Sequence, residues 1–429
     1  MISLCIFVLL LSLPCVYCGN ETIEILHTGK GGLCDPTVNQ ASGRYKVNPG
    51  KEYFFWTFES RNDPSNDPVF LVLSAGPAGA STTFTVSQNG PCTVNSDGTS
   101  VERNPYSWTT KANVVWLDHP VGVGFSTGSS VEKTEREVVN NICNFIKLLF
   151  GYTRYKGGFY LVGMSGGGHL LPQVAAIVRQ STIALEGLIF VNAMIDALSQ
   201  YPSYPEMAFK SPTTSPVISQ DQYDQMVAAM PDCLEKIKAC NVKNTLCETA
   251  YFFCGGMVNL PVVNNGYNLY DLPQTCPHPR DQLPQGCDNQ ELPPNVQEYM
   301  NSTMVKLFFG VRGDYVEMSK EVDQSIPSLL ESGVRVMVMA GDRDYVCNYL
   351  GLKQWMLGLE WSKKEAFKAA LDVPVKDNTG RVIGLRRSIE RGLYTFVQVY
   401  NAGHGVPREK PAESLRFVND FISRNLVAI

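Results

Sequence analysis

The chain has 429 residues, of which 44% are hydrophobic and 18% are charged, a composition typical of a folded globular protein and not of a disordered one. This length allows one large domain or two smaller ones around a sizeable core. The formal net charge of −5 and the lack of Lys/Arg-rich runs argue against nucleic acid as a partner, because nothing in the sequence would follow a phosphate backbone.

Residues 1–18 are predicted to be a secretory signal peptide. The stretch MISLCIFVLLLSLPCVYCGN is an apolar run that ends in small or turn-forming residues, with cleavage expected near Cys18. A short membrane anchor is the alternative interpretation. The run is brief for a bilayer span of ~20 residues, however, and no Lys or Arg flanks it. We expect no stable membrane anchor and no later segment that is long and apolar enough to cross a bilayer.

Cysteine usage indicates an oxidising compartment. Ten cysteines follow the predicted signal, and six of them fall between residues 233 and 287, the density of a disulfide-stapled insertion. A zinc site is the competing interpretation, but no CxxC pair is present and the spacing does not suit a zinc ribbon. Glycosylation sequons at Asn20 and Asn301 agree with export. We therefore predict a secreted, lysosomal or vacuolar glycoprotein.

Strand-like and helical segments alternate along most of the chain. A helix is predicted after Thr134, which begins a capping-box pattern with Glu137, and the last helix from about Pro411. Several predicted strands are nearly continuous in apolar residues, as expected where both faces are covered. The predicted strands are Tyr53–Glu59, Val69–Leu73, Asn113–Leu117, Phe159–Gly163, Leu188–Val191, Val334–Met339 and Leu393–Tyr400.

This alternation predicts an α/β fold with a mostly parallel sheet flanked by helices. The alternation of predicted strands and helices stops over residues 196–304, which are rich in cysteine, proline and polar residues. We interpret that segment as a disulfide-stapled cap inserted between two parts of the core, residues 19–195 and 305–429.

Ser165 lies in a pattern typical of a nucleophile elbow. Gly163-x-Ser165-x-Gly167 follows a predicted strand and precedes an apolar stretch at residues 170–178 that can form a helix. Glycines are needed on both sides because this turn brings the backbone too close to neighbouring strands for a Cβ. Taken alone, the pattern is a weak indicator of catalysis.

Two later loops supply the partners that a serine nucleophile needs. A histidine must take the hydroxyl proton, and a carboxylate must orient that histidine. Asp344 follows the predicted strand Val334–Met339, and His404 follows the predicted strand Leu393–Tyr400. His169 is poorly placed for this role, because it lies in the predicted helix directly after the serine. The order and placement favour Ser165, Asp344 and His404 as a catalytic triad.

Four segments of the chain resemble the serine carboxypeptidase family, and together they cover nearly the whole mature sequence. The first two are KEYFFWTFESRNDPSNDPVFLVLSAGPAGAS and WTTKANVVWLDHPVGVGFS; the others are GMSGGGHLLP and the pair GDRDYVCNYLG and NAGHGVPREKP. The resemblance implies an α/β-hydrolase fold and hydrolysis of C-terminal peptide bonds. It implies Asp344, not Asp342, as the acid, and backbone N–H groups of Gly76 and Gly166 as the oxyanion hole. No metal or cofactor is expected, because no metal site and no GxGxxG or P-loop pattern is apparent in the sequence.

The resemblance fails at the positions that bind the substrate's terminal carboxylate. The family uses an asparagine, a glycine N–H and two glutamic acids, where this chain has Ser74, Ala75, Gln88 and Met164. Serine and glutamine can still donate hydrogen bonds, but methionine cannot. One lost hydrogen bond to a charged group is worth ~1.5–3 kcal/mol. We therefore expect carboxylate recognition to be weakened.

The resemblance also suggests roles for the cysteines. Cys347 resembles the family's unpaired cysteine that lines the acyl-side pocket, and a buried small hydrophobe is the alternative. Cys143 lies on an apolar helix face and is predicted to be a core residue. The predicted pairing is Cys240–Cys247 nested within Cys233–Cys254, with Cys276–Cys287 as the third bridge of this segment.

Three functions remain open from the sequence. The first is a serine carboxypeptidase acting on a peptide or protein substrate. The second is an acyltransferase or esterase that uses the same triad on a substrate without a terminal carboxylate. The third is a catalytically weak binding relative, which the complete triad argues against.

Overall fold

The computed structural model describes residues 16–18, 21–48, 50–74, 79–153, 155–276 and 322–424. Most of the predicted signal peptide, both sequon asparagines and most of the second half of the predicted cap lie outside these residues. The glycosylation sites and the division of the chain into core and cap stay predictions.

Strands occur in both the N-terminal and the C-terminal parts of the described chain. The fifteen strands within the described residues are β1 (Val16–Cys18), β2 (Glu21–Gly29), β3 (Gln40–Asn48), β4 (Lys51–Phe58), β5 (Val69–Leu73), β6 (Cys92–Val94), β7 (Val101–Arg103), β8 (Asn113–Leu117), β9 (Thr127–Gly128), β10 (Phe159–Met164), β11 (Leu185–Val191), β12 (Arg335–Gly341), β13 (Val373–Lys376), β14 (Val382–Ile389) and β15 (Tyr394–Val399).

Helices connect the strands and make up much of the described part of the segment between β11 and β12. Within the described residues they are α1 (Phe84–Ser87), α2 (Glu135–Tyr152), α3 (Leu171–Val178), α4 (Ala197–Gln200), α5 (Tyr204–Phe209), α6 (Gln220–Val242), α7 (Cys247–Asn264), α8 (Ile326–Glu331), α9 (Tyr349–Gly358), α10 (Lys364–Ala369), α11 (Val406–Glu409) and α12 (Pro411–Ile422).

The central sheet is mixed, with a parallel middle. Its order is β1-β2-β3-β4-β8-β5-β10-β11-β12-β15-β14-β13, and β9 pairs with β4. Neighbours from β8 to β15 run parallel, whereas the pairs outside them are antiparallel. The predicted α/β fold is confirmed. The antiparallel flanks were not predicted in detail, because β2, β3, β13 and β14 carry mixed polar patterns that apolar runs do not identify.

The parallel middle is covered on both faces, as the continuous apolar runs predicted. Along β5, residues Val69, Leu71 and Leu73 enter one apolar cluster, while Phe70 and Val72 enter another. Successive side chains of a strand point to opposite faces, so a fully apolar strand implies two covered faces. The structure gives β5 and β8 the predicted bounds, and the ends of the other predicted strands differ by at most three residues.

The helix after Thr134 is confirmed with a modified cap. The Thr134 hydroxyl accepts from the backbone N–H of Glu137, but the Glu137 carboxylate accepts from the N–H of Lys133 at 2.8 Å, one residue earlier than in a capping box. Cys143, on the buried face of this helix, is free and 2% exposed, so its predicted core position is confirmed.

Two of the predicted disulfides are present between residues 233 and 254. Cys233–Cys254 and Cys240–Cys247 join α6 to α7 in the nested arrangement. Cys276 is disulfide-bonded, and Cys287 lies outside the described residues. A further bridge, Cys34–Cys92, joins the segment after β2 to β6 and was not predicted.

One helix corrects an expectation. Residues Asn244–Asn264 form a stretch long and apolar enough to cross a membrane by length and composition, whereas no such segment was expected. A third of it is buried, and two disulfides tie it to α6. The expectation failed because aromatic and small residues raise the apolar content of α7 without a continuous aliphatic run.

Candidate active site

Ser165 lies at a sharp turn between β10 and α3. Its φ is +53°, in the left-handed region that residues with a Cβ seldom adopt. The carbonyl of Ser165 accepts from the N–H of Met194 at 3.2 Å, which ties the turn to the segment after β11. The conformation is that of a nucleophile elbow, in which strain presents the hydroxyl beyond the end of the strand.

Close packing explains the two glycines of the elbow. A Cβ on Gly163 would lie 2.6 Å from the Cα of Gly168, and a Cβ on Gly167 would overlap the carbonyl oxygens of Leu73 and Ser74. Backbone atoms cannot move aside as a flexible side chain can. The Gly-x-Ser-x-Gly spacing is therefore a packing requirement of this turn.

Asp344 and His404 meet at the same edge of the sheet as Ser165. They follow β12 and β15, which are adjacent and parallel, with Gly341 paired to Val399 near their carboxyl ends. Nδ1 of His404 lies 2.8 Å from Oδ2 of Asp344. Asp344 is fully buried and His404 is 7% exposed. The loops that sequence analysis paired are thus brought together by strand order.

Asn192 holds the Asp344 carboxylate and was missed by sequence analysis. Its Nδ2 donates to Oδ2 of Asp344 at 2.6 Å, and its Oδ1 accepts from the N–H of Gly341 at 3.3 Å. The N–H of Cys347 donates to the same carboxylate oxygen at 3.2 Å. The available signal was a polar residue directly after β11, the strand between those that carry Ser165 and Asp344.

The loop that carries His404 is fixed on both sides. The N–H of His404 donates to the carbonyl of Tyr270 at 2.7 Å, and the Tyr270 ring packs edge-on at 5.2 Å between centroids. The Glu409 carboxylate accepts from the N–H groups of Gly403 at 2.6 Å and Gly405 at 3.2 Å. These contacts orient the imidazole before substrate binds.

Of the two glycines predicted to form the oxyanion hole, Gly166 lies within the described residues and Gly76 does not. Gly166 lies in the 3-10 turn Ser165–His169 directly after the nucleophile and is buried. Gly76 and Ala75 lie outside the described residues. Asp118 positions the segment that follows them, since its carboxylate accepts from the N–H and the hydroxyl of Thr82 at 2.8 and 2.7 Å. Burial raises the pKa of Asp118 to about 6.

Two of the predicted carboxylate-binding positions have other partners. Ser74 is buried, its N–H donates to the Ser81 hydroxyl at 2.9 Å, and its own hydroxyl donates to the carbonyl of Gly79. Met164 is 3% exposed and belongs to the apolar cluster that contains Phe84 and Val406. The structure therefore places Ser74 in a backbone turn and Met164 in the core.

Gln88 is the predicted position that keeps a polar contact beside the histidine loop. It is the C-cap of α1 and is 4% exposed. Its Oε1 accepts from the N–H of Arg408 at 3.2 Å, although 320 positions separate the two residues. Arg408, on α11 just after His404, was not considered in the sequence analysis.

Asp344, Cys347 and His404 form the group best suited to hold a cation among the described residues. One donor atom from each lies within 4.8 Å of the others, and all three residues are buried. Cys347 is buried in this group and forms no disulfide, and its place in the acyl-side pocket stays a prediction. The 2.8 Å contact between Asp344 and His404 is the geometry of a histidine oriented by a carboxylate.

Comparison with known proteins identifies related sequences. A family model described as serine carboxypeptidase matches residues 32–424. The chain is 33% identical over 413 residues to the vacuolar serine-type carboxypeptidase of Saccharomyces cerevisiae, covering 91% of this chain and 80% of that protein. It is 30% identical over 447 residues to carboxypeptidase Y of Schizosaccharomyces pombe, covering 95% of this chain but only 43% of the relative. The chain thus spans less than half of that protein's length.

A solved structure shares the fold. The prohormone-processing carboxypeptidase Kex1 of Saccharomyces cerevisiae superimposes with a TM-score of 0.75 and 22% sequence identity, covering 92% of this chain and 94% of that one. This likeness supports the predicted α/β-hydrolase architecture.

Proposed function

We propose that this chain, which belongs to the serine carboxypeptidase family, hydrolyses C-terminal peptide bonds through an acyl-enzyme formed on Ser165. The observation that carries the proposal is the 2.8 Å contact between His404 and the buried Asp344 at the sheet edge where Ser165 is held at φ +53°. A strained serine, a histidine and a buried carboxylate on neighbouring strand ends are the parts that acyl transfer requires.

In the proposed first step, the Ser165 Oγ attacks the scissile carbonyl carbon while its proton passes to Nε2 of His404. The N–H groups of Gly166 and Gly76 are proposed to donate hydrogen bonds to the negatively charged oxygen of the tetrahedral intermediate. The intermediate collapses as His404 gives that proton to the leaving nitrogen. The carbon–nitrogen bond breaks, the C-terminal amino acid departs, and an ester on Ser165 remains.

In the second step, water replaces the departed amino acid. His404 takes a proton from the water as its oxygen attacks the ester carbon, and then returns the proton to the Ser165 oxygen as the carbon–oxygen bond breaks. Asp344 stays ionised throughout and stabilises the imidazolium that forms twice in the cycle. Asn192 supports it by donating to the same carboxylate oxygen.

We further propose that the protein works in the secretory pathway, in a vacuole or lysosome or outside the cell. The three disulfides with both cysteines described support an oxidising compartment. The Saccharomyces cerevisiae relative is named as vacuolar. The N-terminal signal, the glycans at Asn20 and Asn301, and the cap over residues 196–304 belong to the same proposal.

A second function, ester cleavage or acyl transfer, is favoured by one observation. Ser74 donates its hydroxyl to Gly79, and Met164 is enclosed by apolar residues, so neither is available to bind a terminal carboxylate. If no other group binds that carboxylate, the triad would act equally well on substrates with and without a free terminal carboxylate.

A fluorophosphonate probe and a matched substrate pair test the proposal. Labelling of the wild type but not of Ser165→Ala establishes the nucleophile. A blocked dipeptide is then compared with its C-terminal amide. Faster cleavage of the free acid supports a carboxypeptidase, and equal rates or cleavage of esters alone favour the second function. Absence of labelling at any pH contradicts both.

A further inference from the structure

Two hydrogen-bond donors lie close to Gly405, the residue that follows His404. A Cβ on Gly405 would lie 3.1 Å from Nη2 of Arg408 and 3.1 Å from Nε2 of Gln88. The two nitrogens are therefore at most about 6 Å apart, a separation that one carboxylate can bridge with its two oxygens. Any larger side chain at position 405 would force one of the donors to move.

The Gln88 amide is oriented for donation. Its Oε1 accepts from the backbone N–H of Arg408 at 3.2 Å, which turns the NH₂ group towards Gly405. Because Gln88 is 4% exposed and ends α1, this amide is held in place by its surroundings. It presents a fixed donor at a position where the family resemblance indicates substrate binding.

Arg408 supplies a positive charge at the same place. Its side chain is 26% exposed, and its Nη2 lies 3.4 Å from Oε1 of Glu409. Glu409 is itself engaged by the N–H groups of Gly403 and Gly405, so it holds the arginine against the histidine loop. A guanidinium remains charged over the whole working pH range and can bind a carboxylate with two parallel N–H groups.

We propose that Arg408, together with Gln88, binds the terminal carboxylate of the peptide substrate and replaces the residues that this chain lacks at Ser74 and Met164. This inference rests on the proposed carboxypeptidase function. It makes Arg408 a specificity-determining residue, since an ester or amide substrate has no charge for it to bind. Gly405 has no side chain between the two donors, which leaves room for a ligand carboxylate beside them.

The test compares acid and amide forms of one blocked dipeptide at pH 7. Arg408→Gln is expected to lower kcat/KM for the acid about tenfold to one hundredfold, mainly through KM, and to leave the amide within about twofold. Arg408→Lys is expected to restore part of the acid preference, because it keeps the charge but not the fork geometry.

Arg381→Gln is the matched control. It removes the same charge from an exposed arginine in the turn between β13 and β14, where Arg381 pairs with Asp377, and it is expected to change neither substrate. An acid preference that survives in Arg408→Gln, or equal losses on acid and amide, would overturn the inference while leaving the hydrolase intact.

A binding measurement keeps this inference separate from the proposed function. Calorimetry on Ser165→Ala with N-acetyl-phenylalanine and its amide requires no turnover. Tighter binding of the acid that disappears in the Ser165→Ala/Arg408→Gln double variant supports the carboxylate site even if the wild type is not labelled by a fluorophosphonate. Equal binding of acid and amide to Ser165→Ala contradicts it.

Discussion

Asn192 donates a hydrogen bond of 2.6 Å to the carboxylate of Asp344, the group that also contacts His404 at 2.8 Å. Both residues of this pair are fully buried. An ionised carboxylate in the interior needs several donors, and Asn192 and the N–H of Cys347 supply two beside the imidazole. The amide therefore helps to hold the Asp344 carboxylate in place beside His404.

Removing this donor is expected to impair catalysis. Asn192 has φ +42°, so Asn192→Gly deletes the amide without adding backbone strain. A hydrogen bond to a charged group is worth about 1.5–3 kcal/mol, which corresponds to a loss of roughly tenfold to one hundredfold in kcat. Steady-state kinetics on the wild type and Asn192→Gly measures this loss in kcat. Asn401→Gly, the same change at an exposed asparagine with φ +56°, is the control, and equal losses in both variants would contradict the role.

Strain at the nucleophile gives a prediction about stability. Ser165→Ala and Ser165→Gly both lose the hydroxyl, and both are expected to lose activity by at least about 10³-fold. Only glycine adopts φ +53° at no steric cost, so Ser165→Gly is expected to be more stable than Ser165→Ala by about 1 kcal/mol. Urea denaturation of the two inactive variants checks this order, and the reverse order would mean that the turn is not strained.

Position 164 is expected to behave as a core residue. Met164→Glu places a carboxyl group in the cluster with Phe84 and Val406, and we expect a loss of about 2–5 kcal/mol in the free energy of unfolding. Met164→Leu nearly conserves volume and is expected to cost less than about 1.5 kcal/mol. Denaturation midpoints compare the pair. A well-tolerated glutamate would place this side chain in the substrate pocket instead.

Hydrolysis is expected to rise with pH and to level off near neutrality. His404 must be neutral to take the serine proton, and its reference pKa is ~6.5. Gln88 and Met164 carry no titratable group, so no shared proton between carboxyl groups has to be retained at acidic pH. A pH–rate profile of kcat/KM on the blocked dipeptide measures this, and a sharp optimum well below pH 5 with loss at neutrality would refute it.

His119 is expected to weaken the fold in acid. Burial lowers the pKa of His119 to about 4, and its Nε2 is buried with no hydrogen-bond partner among the described residues. Between pH 6.5 and about 4 the unfolded chain binds a proton that the folded chain does not, so stability falls as the pH is lowered through this window. At ~1.4 kcal/mol per unit, the loss is roughly 3 kcal/mol.

A glutamine variant isolates this contribution. His119→Gln removes the proton-binding ring and keeps a neutral polar side chain at this position. The difference in unfolding free energy between pH 7 and pH 4.5 is expected to shrink by about 2–3 kcal/mol. His27→Gln, at an exposed histidine of β2, serves as the control. An unchanged pH dependence in His119→Gln would show that the ring is not the source.

Local sequence determined the strands and indicated the proposed triad. Apolar runs such as Val69–Leu73 mark strands covered on both faces, and Gly163 and Gly167 are set by the backbone approach at the elbow. The order Ser165, Asp344, His404 could be assigned because each follows a recognisable strand, and parallel neighbours end at one edge. These features depend on residues close in sequence or on a general rule of parallel sheets.

Tertiary structure alone decided which side chains support that triad. Asn192 lies 152 positions from Asp344, and Gln88 lies 320 positions from Arg408. Neither pair has a periodic or spaced signature, because a hydrogen bond between two loops depends on strand order, register and loop path together. For the same reason, the sequence did not predict the Cys34–Cys92 bridge or the approach of the Gln88 and Arg408 donors to Gly405. The proposed triad could be predicted from the sequence, whereas the contacts that orient its residues required the folded chain.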